Sequence, residues 1–170
     1  MSSTSTLLLL SALNWLHLVA TVTWIGGIVT NMFLIVPTAR ENLEPPVMSR
    51  FMGSFTKRLR PIIYICMAVL VVTGWFMMTI NRHYLGAFGF GNLWTVFVLT
   101  KHILVVVLII IGIYILQVLF PKIGQLAAKG PSPELTKLQQ AQMRLGMAAI
   151  ATSLLVLLFT GISGAISALP

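Results

Sequence analysis

The residues with the most chemistry in this sequence are two histidines and a lysine set in otherwise apolar runs: His17 in the first such run, and Lys101 with His102 in the third. His17 stands ten positions in from Leu7, and His102 about nine in from Leu93. If both runs are helices entering from the same side, a rise of ~1.5 Å per residue puts the two imidazoles at nearly equal depth, roughly 14 Å below the outer end. Equal depth is what a shared ligand requires. An iron porphyrin held between two helices takes one imidazole on each face, and neutral imidazole needs no compensating charge inside lipid. The expectation is bis-histidine haem b, with His17 and His102 as the metal ligands. The competing reading hydrogen-bonds the two rings to each other or to helix carbonyls.

A porphyrin between helices needs small residues to admit its plane and aromatics to cover it. The run Trp24-Ile25-Gly26-Gly27, one to three turns past His17, offers both, so Trp24 and Gly27 are expected at the cofactor. Gly74, Gly161 and Gly164 could serve likewise, although glycine is also ordinary close-packing chemistry between membrane helices. Propionates want a cation, and the candidates are Arg82, beside His83 at the end of the second run, and Lys101. The chain has no Asp, and its three Glu residues all lie between the apolar runs, so Lys101 has no natural counter-ion there. A bound propionate or another anionic ligand would supply one; the alternative is a lysine that snorkels outward. Neighbouring residues differ by ~100° around a helix, so Lys101 and His102 cannot aim at one spot. One faces the porphyrin centre and the other its rim. With both axial positions filled, such an iron passes single electrons and does no chemistry on a ligand. No residue is expected to be catalytic. Phosphate loops, nucleophile triads and paired carboxylates are absent, which excludes hydrolysis and argues against proton transport by intramembrane carboxylates.

The elements that must position these residues are membrane helices. With 58% hydrophobic and 8% charged residues among 170, and a mean hydropathy of +0.97, a chain of this size cannot hide its apolar surface from water and must be solvated by lipid. Crossing ~30 Å of hydrocarbon takes ~20 apolar residues. Four stretches qualify, at about 7–36, 61–80, 93–120 and 145–169. Pro61 fits the first turn of the second span, and Pro121 is expected to stop the third. The length of the first span, with no Lys or Arg before it, argues for a retained helix and not a cleaved signal peptide. Ser132-Pro133-Glu134 reads as an N-cap and first turn, so the fourth helix begins in water as a polar stalk. The fold class is all-α, one integral membrane four-helix bundle running up-down-up-down over 1–170.

Charge sets the expected orientation. Arg40, Arg50, Lys57, Arg58 and Arg60 lie in the first connection and Lys122, Lys129, Lys137 and Arg144 in the third, against Arg82 alone in the second. The positive-inside rule then places connections one and three in the cytoplasm, with both termini and connection two outside. The net charge of +8 thus reports membrane orientation and anionic headgroups, and a nucleic-acid role is discarded. Val47, Phe51, Phe55 and Leu59 recur every four residues opposite Arg50, Lys57 and Arg58, which suggests an amphipathic surface helix at about 47–59. In span one, Asn14, His17, Thr21, Trp24 and Asn31 share a helical face, a polar stripe that must point at the other helices. The lone Cys66 sits within a span, so no intrachain disulfide exists.

The segment Trp15-Leu16-His17 followed by Trp24-Ile25-Gly26-Gly27 resembles the opening helix of the copper-resistance D family (CopD) of bacterial membrane proteins. Lys101, within Leu99-Thr100-Lys101-His102-Ile103-Leu104, looks like the lysine those proteins carry in an apolar helix. A related group is the HemJ-type protoporphyrinogen oxidase, a small haem-containing membrane protein. The resemblance implies His17 as haem ligand and Lys101 as its companion; His102 departs from the oxidase pattern and is what permits two-histidine ligation.

Three functions follow as expectations. The first is a membrane b-type cytochrome or subunit that transfers electrons, with a quinone or redox-partner membrane subunits beside it in an oligomer or larger complex of the plasma (inner) membrane. The second is copper transport or resistance, with His17 and Met32, Met67, Met77 and Met78 handling Cu(I), because soft thioethers select that ion. The third is an oxidase acting on a tetrapyrrole whose carboxylates Lys101 steers. A purely structural subunit, its polar seam only holding helices together, is the fourth reading.

Overall fold

A computed structural model describes residues 3–81, 83–86 and 91–168. Arg82 lies outside the described residues, so its expected role at a propionate has no structural counterpart here. Four helices, α1 (Thr4–Asn42), α2 (Pro45–Ile80), α3 (Leu93–Ala127) and α4 (Pro133–Ala168), are long and apolar enough to cross a membrane, and no strand occurs among the described residues. Only 17–33% of each span's most apolar window is buried inside the bundle. Leu8, Trp15, Val22, Ile65, Ile103 and Leu158 all stand exposed on its outside. An apolar exterior of this extent is stable only against acyl chains.

Helix α1 packs chiefly on α2, and α3 on α4. A central cluster of Ala20, Trp24, Ile63, Cys66, Met67, Leu70, Leu108, Leu116 and Ala149 joins the two pairs. Close approach is set by glycine. The position a Cβ would take on Gly112 is filled by Met67 Cε at 2.7 Å, and that on Gly146 by Met32 Sδ at 2.6 Å. Both thioethers are therefore packing pieces, the use to which flexible methionine is best suited. Met78 lies in a separate cluster with Trp94 and Val98, apart from the one that holds Met67.

The helices run past the prolines expected to end them. Residues Asn31–Ile35 in α1 and Ile115–Leu119 in α3 form π-helical turns, and each ends two residues before a proline, Pro37 or Pro121. Proline clashes with the carbonyl four residues back and cannot donate to it. A widened turn moves that carbonyl aside, so the helix survives the ring. Val36 N–H accordingly reaches back to Asn31 O, and Phe120 N–H to Ile115 O. In α3 the next carbonyl in that register belongs to Leu116, whose partner would be Pro121. The Arg60 guanidinium of α2 donates to it instead, at 2.8 Å.

Helix α2 is likewise continuous from Pro45 to Ile80 with Pro61 in its interior. The amphipathic stretch at 47–59 is thus the lower half of the second membrane helix and not a separate surface helix, with Phe51 and Phe55 stacked at 6.2 Å along its side. The start of α4 agrees with the sequence: Ser132 Oγ accepts from Leu135 N–H at 3.1 Å ahead of a helix that begins at Pro133. Helix α3 has its own cap, Asn92, whose Oδ1 accepts from Thr95 N–H at 2.7 Å. Asn92 Nδ2 also donates to His83 O, at 3.0 Å, which ties the described part of the 81–92 connection to the helix start.

Candidate functional site, a histidine pair at Gly74

Helix α2 brings the two histidines together. A methyl group built on Gly74 would lie 3.4 Å from His17 Cε1 and 3.6 Å from His102 Nε2, so both rings flank one notch in the α2 backbone. The equal depth expected from counting along spans one and three is what this contact requires. Gly161 and Gly164, by contrast, have nothing within 4 Å of a would-be Cβ and so are not at this contact.

Hydrogen bonds fix how each ring is protonated. Thr73 Oγ1 has one hydrogen and donates it to Val69 O at 2.6 Å. Its oxygen must then accept from His17 Nδ1–H, 2.7 Å away. His102 Nδ1 lies 2.6 Å from Val98 O, and a carbonyl only accepts, so that nitrogen also carries its hydrogen. Each ring thus carries a hydrogen on Nδ1, so that in the neutral form Nε2 keeps the lone pair. This is the arrangement in which an outer partner holds a ligating imidazole in orientation. Thr73 is buried at 3% exposure and has no other reason to be polar in the middle of a span. It is the site residue that sequence reasoning passed over.

The remaining expected site residues are not gathered at the pair. Trp24 is buried in the central cluster, its ring within 3.9 Å of the would-be Cβ of Gly112, two turns further along α1 than His17. Gly27 lines a slot at that lower level. The polar stripe of α1 is therefore real as a face but spread over two layers, and Asn14 at its outer end is exposed. Lys101 is half-buried and directly precedes His102 on α3. Among the described residues no group of three or more His, Cys, Asp or Glu side chains could hold a bare metal ion. The histidine pair supplies two nitrogen donors, a set that suffices for an ion already held by a macrocycle.

Because Thr73 acts through His17, its removal has a defined consequence. Thr73→Val keeps the shape but leaves His17 Nδ1–H unpaired, and should lower stability by about 1 kcal/mol. Thermal unfolding of the detergent-purified protein measures this, and an unchanged midpoint would show that the ring is not held by the hydroxyl.

The family described as a domain of unknown function, DUF4149, matches residues 19–132. That segment contains Thr73, Gly74, Lys101 and His102, and begins two residues after His17. No curated protein and no solved structure matches the chain.

Proposed function

Because the chain belongs to the DUF4149 family, a domain of unknown function, its role has to be read from its own residues, and we propose that it is a membrane b-type cytochrome, or a subunit of one, that holds haem b between His17 and His102. The observation that carries this reading is the histidine pair at Gly74, with both Nδ1–H groups bonded away and both Nε2 lone pairs left for a ligand. When bound, haem would supply a one-electron iron couple. The chain's own residues do the rest. Thr73 and the Val98 carbonyl orient the imidazoles, Gly74 leaves the space between them clear, and the surrounding lipid-facing helices exclude water. Lys101 is the cation available for a propionate, since the three Glu residues stand at helix ends or between helices, at Glu41, Glu44 and Glu134.

An up-down-up-down bundle with both termini outside completes the reading. Arg60 with Leu116 and Phe97 with Phe159 fit successive helices of opposite direction, and Met32 with Gly146 fits α4 running opposite to α1. Nine Lys and Arg residues near the 31–60 and 120–144 end favour that end as the cytoplasmic one in a plasma membrane. The likeness of Trp15-Leu16-His17 and Lys101 to copper-resistance D and HemJ-type proteins supports a role for His17 and Lys101 at one site. A copper path gains no observation of its own, because Met32 and Met67 are spent filling glycine notches. An oxidase acting at the iron would need an open axial position, which His102 fills.

The test is an absorption spectrum of the full chain purified in detergent from haem-replete cells, oxidised and then reduced with dithionite, with a pyridine haemochrome assay for porphyrin type. Sharp low-spin bands with stoichiometric haem b are expected, lost or grossly altered in His17→Ala and His102→Ala. A colourless wild-type protein, or a normal low-spin spectrum in both variants, would overturn the proposal.

A further inference from the structure

A second site lies in the lower half of the bundle, away from the histidines. A slot of about 90 Å³ runs between all four helices, from Trp24 and Gly27 at its upper end to Arg40 and Gln139 at its mouth. Beyond Arg40 and Gln139 its walls are apolar apart from Gln142 and Asn31, the latter partway along on the π turn of α1. Asn31 Oδ1 is fully buried and has no hydrogen-bond partner among the described residues. A carboxamide oxygen left unpaired in an apolar bundle is costly, and a group that stays so signals a missing donor. The ends of the slot differ in chemistry. An amide and a cation lie toward the mouth, while the interior offers aliphatic side chains and the Trp24 ring. Met32 and Met143 border it, and Met143, unbranched and partly exposed, can rotate to widen it without moving the backbone.

We propose that this slot binds the hydroxyl-bearing end of a membrane amphiphile, the Asn31 carboxamide turning into the slot to accept from the hydroxyl at Oδ1 and the apolar body lying along the α1 and α3 walls. Reduced quinols and glycerides such as diacylglycerol share that chemistry: a hydroxyl donor on an apolar body. An oxidised quinone lacks it, carrying acceptors only. The site uses none of the residues assigned to haem ligation, so it stands independently of the histidine pair.

The experiment compares three probes on the full chain in detergent: a short-chain ubiquinol, the same molecule oxidised, and dioleoylglycerol, each titrated while the thermal unfolding midpoint is followed. The quinol or the diacylglycerol should raise the midpoint, and whichever does so identifies the source. The oxidised quinone should bind on the order of five- to ten-fold more weakly than the quinol, the worth of one hydrogen bond. Asn31→Leu should erase that difference. Gly27→Leu, at a slot-lining position where an added Cβ meets nothing within 4 Å, should block binding with the fold intact. Absence of any shift with quinol and diacylglycerol, or binding that both substitutions leave unchanged, would overturn the assignment, whatever the absorption spectrum shows of haem.

Discussion

Gly74→Ala is expected to lower haem content per protein by an order of magnitude or more while leaving the bundle assembled. The added methyl would sit 3.4 Å from His17 Cε1 and 3.6 Å from His102 Nε2, which is ordinary van der Waals contact and asks nothing of the backbone. Those same distances put the methyl against both rings, where it competes with a ligand shared by them. Overfilling a packed site typically costs about 1–3 kcal/mol, equivalent to roughly 5- to 150-fold in affinity. The measurement is haem per protein by pyridine haemochrome on the peak eluted from size exclusion, alongside the thermal midpoint. Low haem with an unchanged elution volume is the expected pair of results. Full haem in Gly74→Ala would mean that the porphyrin lies elsewhere, even if the wild-type protein is red. Gly161→Ala, where a Cβ meets nothing within 4 Å, is the matched control and should change neither quantity.

That notch was only partly legible in the sequence. Counting along two apolar runs matched His17 with His102, because membrane helices have a fixed rise and begin at a common boundary. Gly74 was one of several glycines that could have served, and nothing in a single chain ranks them. Thr73 could have been found by a sharper question. A threonine followed by glycine, seven residues before the outer end of the second span, lies at a depth comparable to the histidines and offers a hydroxyl to an imidazole. Trp24 and Gly27 lie a layer below the pair for a related reason. Helical spacing reports which residues share a face, but not which share a layer, and two turns separate ~10 Å of depth. Asn31 belongs to the lower layer with them.

The four helices themselves followed from composition, since an apolar run in lipid has little alternative to a helix. Their ends did not. The rule that proline stops a helix assumes that the freed carbonyl is left without a partner. In α1 and α3 a π turn moves the carbonyl away from the ring, and in α3 a side chain from another helix then satisfies it. The basic residues of the first connection were read as markers of orientation, which treats them as interchangeable. Arg60 is not interchangeable with Lys57 or Arg58, because those two are exposed whereas it reaches into α3.

Arg60→Leu should accordingly be among the most damaging substitutions outside the histidine pair, lowering stability by about 1–3 kcal/mol. Leu116 is 3% exposed, so water does not readily replace the lost donor, and its carbonyl would be buried with neither a side-chain nor a backbone partner. A leucine keeps most of the apolar stem, which separates loss of the hydrogen bond from loss of packing. The cause can be isolated by a second change. Pro121→Ala restores a backbone N–H one turn beyond Leu116, in the register already used by Phe120 with Ile115. If the guanidinium stands in for the donor that Pro121 lacks, Arg60→Leu should cost markedly less in the Pro121→Ala background than in the wild type. Thermal or denaturant unfolding of the four proteins closes the double-mutant cycle, and additive effects would show that Arg60 stabilises α3 by charge or packing and not by completing its helix.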